Sequence, residues 1–297
     1  MFHRSVLLKE SIDALAIRKA GIYVDATFGG GGHSKEILKR LEEGKLFGFD
    51  QDLDALENAP DDPRFTMINS NFKYIKNFLK LYRSVPVDGI LADLGISSHQ
   101  IDIPERGFST RYEAELDMRM DQRGKVMAKD IVNSYTEVEL ARVLNEYGEI
   151  RNPMKVARAI AAHRREKAIT TTKDLTDFLL PFAIRGRENK YFAQVFQALR
   201  IEVNGEMDVL KEFLAQATEV LRPGGRLVVI AYHSLEDKLV KNYFRSGKFA
   251  GEPEKDFYGN LLTPLHAINR KPIVPGEEEV SENPRARSAR LRIAEKV

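Results

Sequence analysis

Residues 21–33, Gly-Ile-Tyr-Val-Asp-Ala-Thr-Phe-Gly-Gly-Gly-Gly-His, constrain the fold more than any other stretch of this chain. An apolar strand over 22–26 runs into four glycines. The glycines run into a helix over 34–43, with Ile37, Leu38 and Leu41 on one face. Glycine lacks a Cβ and adopts positive φ freely, so Gly29, Gly30, Gly31 and Gly32 allow a sharp turn and let a ligand reach bare backbone. In open α/β sheets such a strand-to-helix crevice is where cofactors bind.

Two cofactor classes use a turn of this kind. A dinucleotide site wants G-x-G-x-x-G, and that register puts Ser34 or Lys35 where the third glycine belongs. An acid just before the glycines, Asp25, is instead the pattern of S-adenosylmethionine enzymes, whose cofactor carries a cationic amino acid end. Such a site needs a second acid, closing the next strand, for the ribose hydroxyls. The run Lys45-Leu-Phe-Gly-Phe-Asp50 ends in one. The plainer reading is a glycine-rich turn without a ligand; the strand, the glycines and the second strand-end acid together disfavour it.

The α/β rhythm continues through a helix at 52–58, a strand at 65–68, a helix at 72–81 and the apolar run Val87-Asp-Gly-Ile-Leu-Ala-Asp93. Near-continuous apolarity is what a buried parallel strand requires. Asp93 closes it on the ligand side, where it could contact the cofactor or the methyl acceptor; Ser97 and Gln100 follow in the next loop. The rhythm then stops. Residues 102–121 read as loop, and from 136 to about 203 only helices are predicted, over 136–147, 153–167, 173–183 and 191–203. Thr136 with Glu139 spells a capping box, and Asn152-Pro153 a cap with a first-turn proline. The rhythm resumes with a helix at 206–221 and a strand to Ile230, leading into Tyr232-His-Ser-Leu-Glu-Asp237. Residues 249–283 read as irregular and the tail from Arg285 as a final strand. The expected organisation is a discontinuous α/β domain, 1–112 and 206–297, interrupted by a helical insertion, 113–205.

The chain has 297 residues, a formal charge of +2 and no cysteine. Lack of cysteine excludes disulfides, cysteine-ligated zinc and any thiol nucleophile. No histidine or carboxylate spacing suggests a metal site. No apolar run approaches the roughly 20 residues that span a bilayer, so a soluble, cytoplasmic protein is expected. Near-neutral charge leaves only local basic surfaces for nucleic acid. Lys155, Arg158 and Arg165 are predicted on one helical face, and Arg285 and Arg287 sit in a basic tail. A phosphate track and a solvated charged face are both compatible with these clusters. His233, after the fifth strand, reads equally as a base or as an ordinary hydrogen-bonded histidine.

Eight stretches, in order and spanning nearly the whole chain, resemble the bacterial small-subunit ribosomal RNA cytosine-N4 methyltransferases of the MraW/RsmH type. They are His3-Arg-Ser-Val-Leu-Leu-Lys-Glu10, Asp25-Ala-Thr-Phe-Gly-Gly-Gly-Gly-His-Ser34, Asp93-Leu-Gly-Ile-Ser-Ser98, Arg106-Gly-Phe-Ser109, Leu116-Asp-Met-Arg-Met-Asp121, Phe196-Gln-Ala-Leu-Arg-Ile-Glu-Val-Asn204, Tyr232-His-Ser-Leu-Glu-Asp237 and Asn283-Pro-Arg-Ala-Arg-Ser-Ala-Arg-Leu-Arg292. The resemblance implies a class I methyltransferase (Rossmann-like) fold, a mostly parallel seven-stranded sheet with an inserted all-helical domain that recognises RNA. It implies S-adenosylmethionine as cofactor and the N4 of a cytidine in the decoding region of 16S ribosomal RNA as acceptor, within the small ribosomal subunit. Cofactor contacts then fall on Gly31, Gly32, His33, Asp50, Phe72, Asp93 and Gln100, with Phe72 against the adenine. The family pattern has a larger residue where Gly30 stands.

Cytosine C5 methylation needs a cysteine nucleophile and is excluded by composition. DNA amino-methyltransferases carry Pro-Pro and an aromatic after the fourth strand; here that place reads Asp93-Leu-Gly-Ile. Asp93 is therefore expected to accept from the amine, while Phe108 or Tyr232 stacks on the base. Among rivals, a ribose 2′-O-methyltransferase needs a lysine base beside Asp93, where none is evident. A noncatalytic RNA-binding protein needs neither Asp50 nor the glycine loop, and an NAD-dependent dehydrogenase lacks its third glycine.

Overall fold

The structure is a computed structural model describing residues 5–251, 253–259 and 262–297. The start of the first resembling stretch, His3-Arg4, lies outside the described residues. The chain divides into two compact units, 1–95 with 207–297, and 96–206.

The first unit holds seven strands: β1 (Ile22–Asp25), β2 (Lys45–Asp50), β3 (Phe65–Asn69), β4 (Val87–Asp93), β5 (Leu221–Ala231), β6 (Leu265–Ala267) and β7 (Arg290–Lys296). Their order is β3-β2-β1-β4-β5-β7-β6. β1 to β5 pair in parallel, and β7 runs antiparallel to both β5 and β6. This is a seven-stranded, mostly parallel sheet, as the resemblance implies. Order reverses between β1 and β4, and at such a switch point the crossover helices diverge to leave a crevice at the carboxyl ends of the strands. Register places the three strand-end acids on that edge: Asp25 pairs Gly48 and Leu91, Asp50 pairs Asn69 and Asp93 pairs Ile230. β4 is buried along its whole length until Asp93, as its apolar run requires.

The helix after the glycines spans Gly32–Arg40 and buries Ile37 and Leu38 against a core that includes Tyr23, Leu46, Leu91, Val228 and Ile230. It stops at Arg40 because Leu41 is already extended, though still buried. A short helix, Leu8–Ala14, precedes β1, and 53–58, read as a helix from the sequence, closes as a 3₁₀ turn. Two elements lie in the stretch read as irregular: β6, and the short helix Glu277–Glu282. β6 is three residues long, too few for alternation to register.

The second unit is helical. It contains Ala128–Ser134, Glu137–Glu146, Pro153–His163, Thr172–Leu179 and Glu188–Asn204. The predicted capping box forms: the Thr136 hydroxyl accepts from the Glu139 amide, and the Glu139 carboxylate accepts from the Thr136 amide at 2.8 Å. Asn152 does not cap; it sits at φ 55° with no side-chain cap bond. The unit opens at Ile96, upstream of residue 113, because Phe108, Leu116, Met118 and Met120 belong to its core and Ile96 packs on it. The 102–121 stretch is thus irregular in backbone yet buried in its apolar side chains. Two of the resembling motifs meet here. The Asn204 side chain donates to Met118 O and accepts from Met120 N, both at 2.8 Å. Met118, at φ 64°, needs that clamp because a non-glycine residue is strained there. Among the described residues no helix is long and apolar enough to cross a membrane.

Candidate active site

Asp25 ends β1 with 1% of its surface exposed. Its carboxylate accepts from the Thr27 amide at 3.2 Å and the Ser34 hydroxyl at 2.7 Å. It thereby ties the strand to both sides of the glycine turn. Burial pushes its pKa up to about 6, against those hydrogen bonds, which lower it.

The turn itself is shaped by backbone. Gly29 and Gly31 sit at φ +50° and +72°, and a Cβ on Gly31 would lie 2.8 Å from the Phe28 ring. A Cβ on Gly32 would collide with the Ser5 hydroxyl. Gly30 differs: a Cβ there meets nothing within 4 Å. That open space has room for the larger residue that the resemblance leads one to expect at this place. The N-cap residue Gly31 has no side chain to cap the helix Gly32–Arg40; Asp25 takes the Ser34 amide, and those of Gly32 and His33 are left as a site for a carboxylate.

Asp50 ends β2. Its two oxygens accept from the Gly29 amide at 2.8 Å and the Asp52 amide at 2.9 Å. Each carboxylate oxygen has two lone pairs, so acceptor capacity remains for sugar hydroxyls. Burial again raises its pKa to about 6. Phe72 opens the 3₁₀ turn Phe72–Tyr74, half-buried, with its ring 4.9 Å from Phe213 and edge-on to it.

Asp93 ends β4 with its side chain 22% exposed. Its amide donates to the Thr27 hydroxyl at 2.6 Å, and its Oδ1 accepts from the Tyr232 hydroxyl at 2.8 Å. Its Oδ2 lies 3.9 Å from His33 Nδ1. The His33 ring is 5% exposed, and its Nε2 lies 3.2 Å from the Val6 carbonyl. A carbonyl only accepts, so Nε2 carries the proton and Nδ1 of the neutral ring turns a lone pair toward Asp93. Burial raises the Asp93 pKa to about 6, opposed by His33 and by the Tyr232 hydrogen bond. Burial lowers that of His33, opposed by Asp93. Three carboxylates with raised pKa values around one glycine turn make a crevice suited to a cation.

His33, a cofactor contact by the resemblance, thus also turns its buried ring toward Asp93. Tyr232 was considered as a stacking ring; its hydrogen bond to Asp93 joins residues 139 positions apart and had no local signal. His233 serves as a helix cap. Its Nδ1 accepts from the Glu236 amide at 3.4 Å, opening the helix Ser234–Ser246, and its ring lies 3.2 Å from the Glu236 carboxylate. Gln100 closes another capping box, with Ser97, at the helix Ser98–Asp102. Phe108 is 8% exposed in the core of the helical unit, so its ring is packed there rather than offered to a base. The helix Pro153–His163 carries Lys155 and Arg158 exposed, but it ends before Arg165, which therefore does not share their face. Arg158 lies 3.6 Å from Glu137. In the tail Arg287 is exposed and Arg285 half-buried.

The MraW methylase family matches residues 1–297. The chain is 56% identical to the ribosomal RNA small subunit methyltransferase H of Christiangramia forsetii, covering 100% of this chain and 98% of that protein. It is 57% identical to the protein of the same name from Flavobacterium johnsoniae, with the same coverage. It is also 57% identical to that from Cytophaga hutchinsonii, with 100% of each chain covered. A strand-end acid on either side of a glycine turn, and a match from the first residue to the last, have one meaning: this chain belongs to the MraW methylase family.

Proposed function

We propose that the protein transfers the methyl group of S-adenosylmethionine to the exocyclic N4 of a cytidine in the decoding region of 16S ribosomal RNA, acting in the cytoplasm on the small ribosomal subunit. Family membership makes it a methyltransferase, and the names of its relatives supply the RNA of the small subunit as substrate class. The observation that carries the atom-level assignment is Asp93: a partly exposed carboxylate at the switch point, with Oδ1 steadied by a phenol and Oδ2 3.9 Å from His33 Nδ1.

The residues present fit the cofactor. First-turn amides of Gly32 and His33 receive its carboxylate, and Asp50 receives the ribose hydroxyls. Phe72 offers a half-buried face to the adenine, and Asp25 and Asp93 balance the positive charge. Gln100 is retained as a contact from the resemblance. When bound, S-adenosylmethionine supplies an electrophilic methyl on a sulfonium.

The chain's own residues then deal with the amine. The N4 lone pair is delocalised into the ring, and a hydrogen bond from the amine to Asp93 localises it on nitrogen. Orientation at near-attack distance contributes the remainder. The N–C bond would form as the sulfonium C–S bond breaks, and the acidic N4 ammonium would give its proton to water, with no covalent enzyme intermediate required. Asp93 is bonded by a tyrosine and faced by a histidine, with no lysine among the partners of its side chain, which disfavours ribose as acceptor. Tyr232 remains the ring available to the base. Lys155 and Arg165 have no carboxylate partner among the described residues and are assigned to RNA phosphates, with Arg158, Arg285 and Arg287.

The test is transfer of labelled methyl from S-adenosylmethionine to small subunits lacking the modification, followed by digestion and identification of the nucleoside. Labelled N4-methylcytidine is expected. Label on ribose overturns the role given to Asp93, and no label on RNA overturns the acceptor.

A further inference from the structure

A cavity of about 500 Å³ opens in the first unit beside Tyr232. Its wall is Tyr232, His233 and Ser234 on one side, with Val274, Pro275 and the tail segment Arg287-Ser-Ala-Arg290 completing it. The volume is in the range of roughly 300–1,000 Å³ typical of small-molecule sites. Tyr232 joins it to the active site, since its hydroxyl donates to Asp93.

Charge in the wall is unevenly compensated. Asp237 is shared by two guanidiniums, Arg290 at 3.0 Å and Arg292 at 2.6 Å. Arg287 has no carboxylate partner among the described residues and is exposed. Arg287 and Arg290 are the charged side chains that line the cavity; Arg292 and Asp237 lie behind Arg290, Glu236 behind the His233 ring, and Glu279 acts on Tyr232. The Glu236 carboxylate accepts from the amides of Tyr232 and His233. The His233 side chain is 8% exposed, and its Nε2 lies 3.2 Å from Glu236 Oε1. Nδ1 accepts the Glu236 amide, so both ring nitrogens face Glu236 and the ring serves the cavity as a wall. The wall therefore combines guanidiniums and the apolar patch Val274, Pro275 and Ala289, which suits an anion attached to a sugar.

We infer that this cavity seats one RNA backbone phosphate next to the target nucleotide, held by Arg287 and Arg290, with its sugar against Val274 and Pro275. The inference rests on the proposed function and gives that site a second anchor: one phosphate fixed here positions the base at Asp93 through the Tyr232 wall. Arg287 is the better probe, because Arg290 also holds Asp237.

The experiment measures binding of a small-subunit RNA fragment containing the target to the full-length protein, wild type, Arg287→Gln and Arg287→Lys, across salt concentrations. Losing one phosphate contact lowers the slope of log affinity against log salt by about 0.7–0.9, and affinity near 0.1 M salt by about tenfold. Arg287→Lys keeps the slope. Inorganic phosphate should compete with RNA on the wild type and much less on Arg287→Gln. An unchanged slope and affinity in Arg287→Gln, with cofactor affinity confirming that the variant is folded, overturns the inference. So does inorganic phosphate that binds through Arg287 without displacing RNA, which would make the cavity a free-anion site. Failure of the underlying function is separately visible: wild-type protein would then put no label into RNA, whereas failure of the cavity alone leaves wild-type labelling intact.

Discussion

The Tyr232 hydroxyl donates to Oδ1 of Asp93 across 2.8 Å, linking the residue after β5 to the end of β4. That bond leaves the other oxygen, Oδ2, 3.9 Å from His33 Nδ1, and it lowers the Asp93 pKa against the larger effect of burial, which lifts it to about 6.

Asp93→Ala should abolish turnover while leaving the fold intact; near-normal methyl transfer in that variant would sink the role assigned here. Tyr232→Phe removes one hydrogen bond to a charged acceptor, worth about 1.5–3 kcal/mol, and should cut kcat by about tenfold or more. Without the phenol the carboxyl binds its proton more tightly, so the acidic limb of the rate profile should move to higher pH. A limb that stays in place would show that another group sets it.

The three crevice acids make the ligand-free protein sensitive to pH. Each has a folded pKa of about 6, raised above the ordinary carboxylate value of 3.8. The folded state therefore binds more protons than the unfolded one between these values. Stability from these groups is full below about 4 and is lost as pH rises through about 6. Asp93→Asn, which keeps an acceptor for Tyr232, should raise the Tm of ligand-free protein at pH 7 by a few degrees, even though it cannot turn over. Calorimetry at pH 5 and pH 7 should show the gain only at the higher pH.

Cofactor affinity should have the opposite trend. A cationic ligand favours the ionised acids, so binding should strengthen from pH 5 to pH 7 and release protons into the buffer. Titration calorimetry in buffers of different ionisation enthalpy reads the proton count directly; none released would mean that the acids are already charged without the ligand.

Within the glycine turn the four positions should respond differently. Gly30→Ser should retain cofactor affinity within about twofold, since its Cβ meets open space and surface changes of this kind are usually within ±0.5 kcal/mol. Gly31→Val should lose cofactor binding, because φ +72° and the Phe28 ring both oppose a branched side chain. Asp50→Ala should weaken the cofactor by about tenfold or more, as it removes the ribose acceptor and strands the Gly29 amide. Equilibrium binding of cofactor ranks all three.

Local pattern was sufficient for much of this molecule. The run from Ile22 to His33 could only be strand, turn and helix, because four glycines cannot continue either element and Ile37 and Leu38 repeat at helical spacing. Asp25, Asp50 and Asp93 were legible as strand-end acids because each closes an apolar run, and lack of cysteine excluded thiol chemistry outright. Tertiary structure alone decided what those acids touch. Ser34 and Thr27 take up Asp25, His33 turns its ring toward Asp93, and Tyr232 reaches Asp93 from 139 residues away. It also buried Phe108 and ended the helix at His163, short of Arg165. Periodicity reports which face of an element is apolar; it carries nothing about which distant strand lies beside it. Partners across a sheet are chosen by register and packing, and these exist only once the chain has folded.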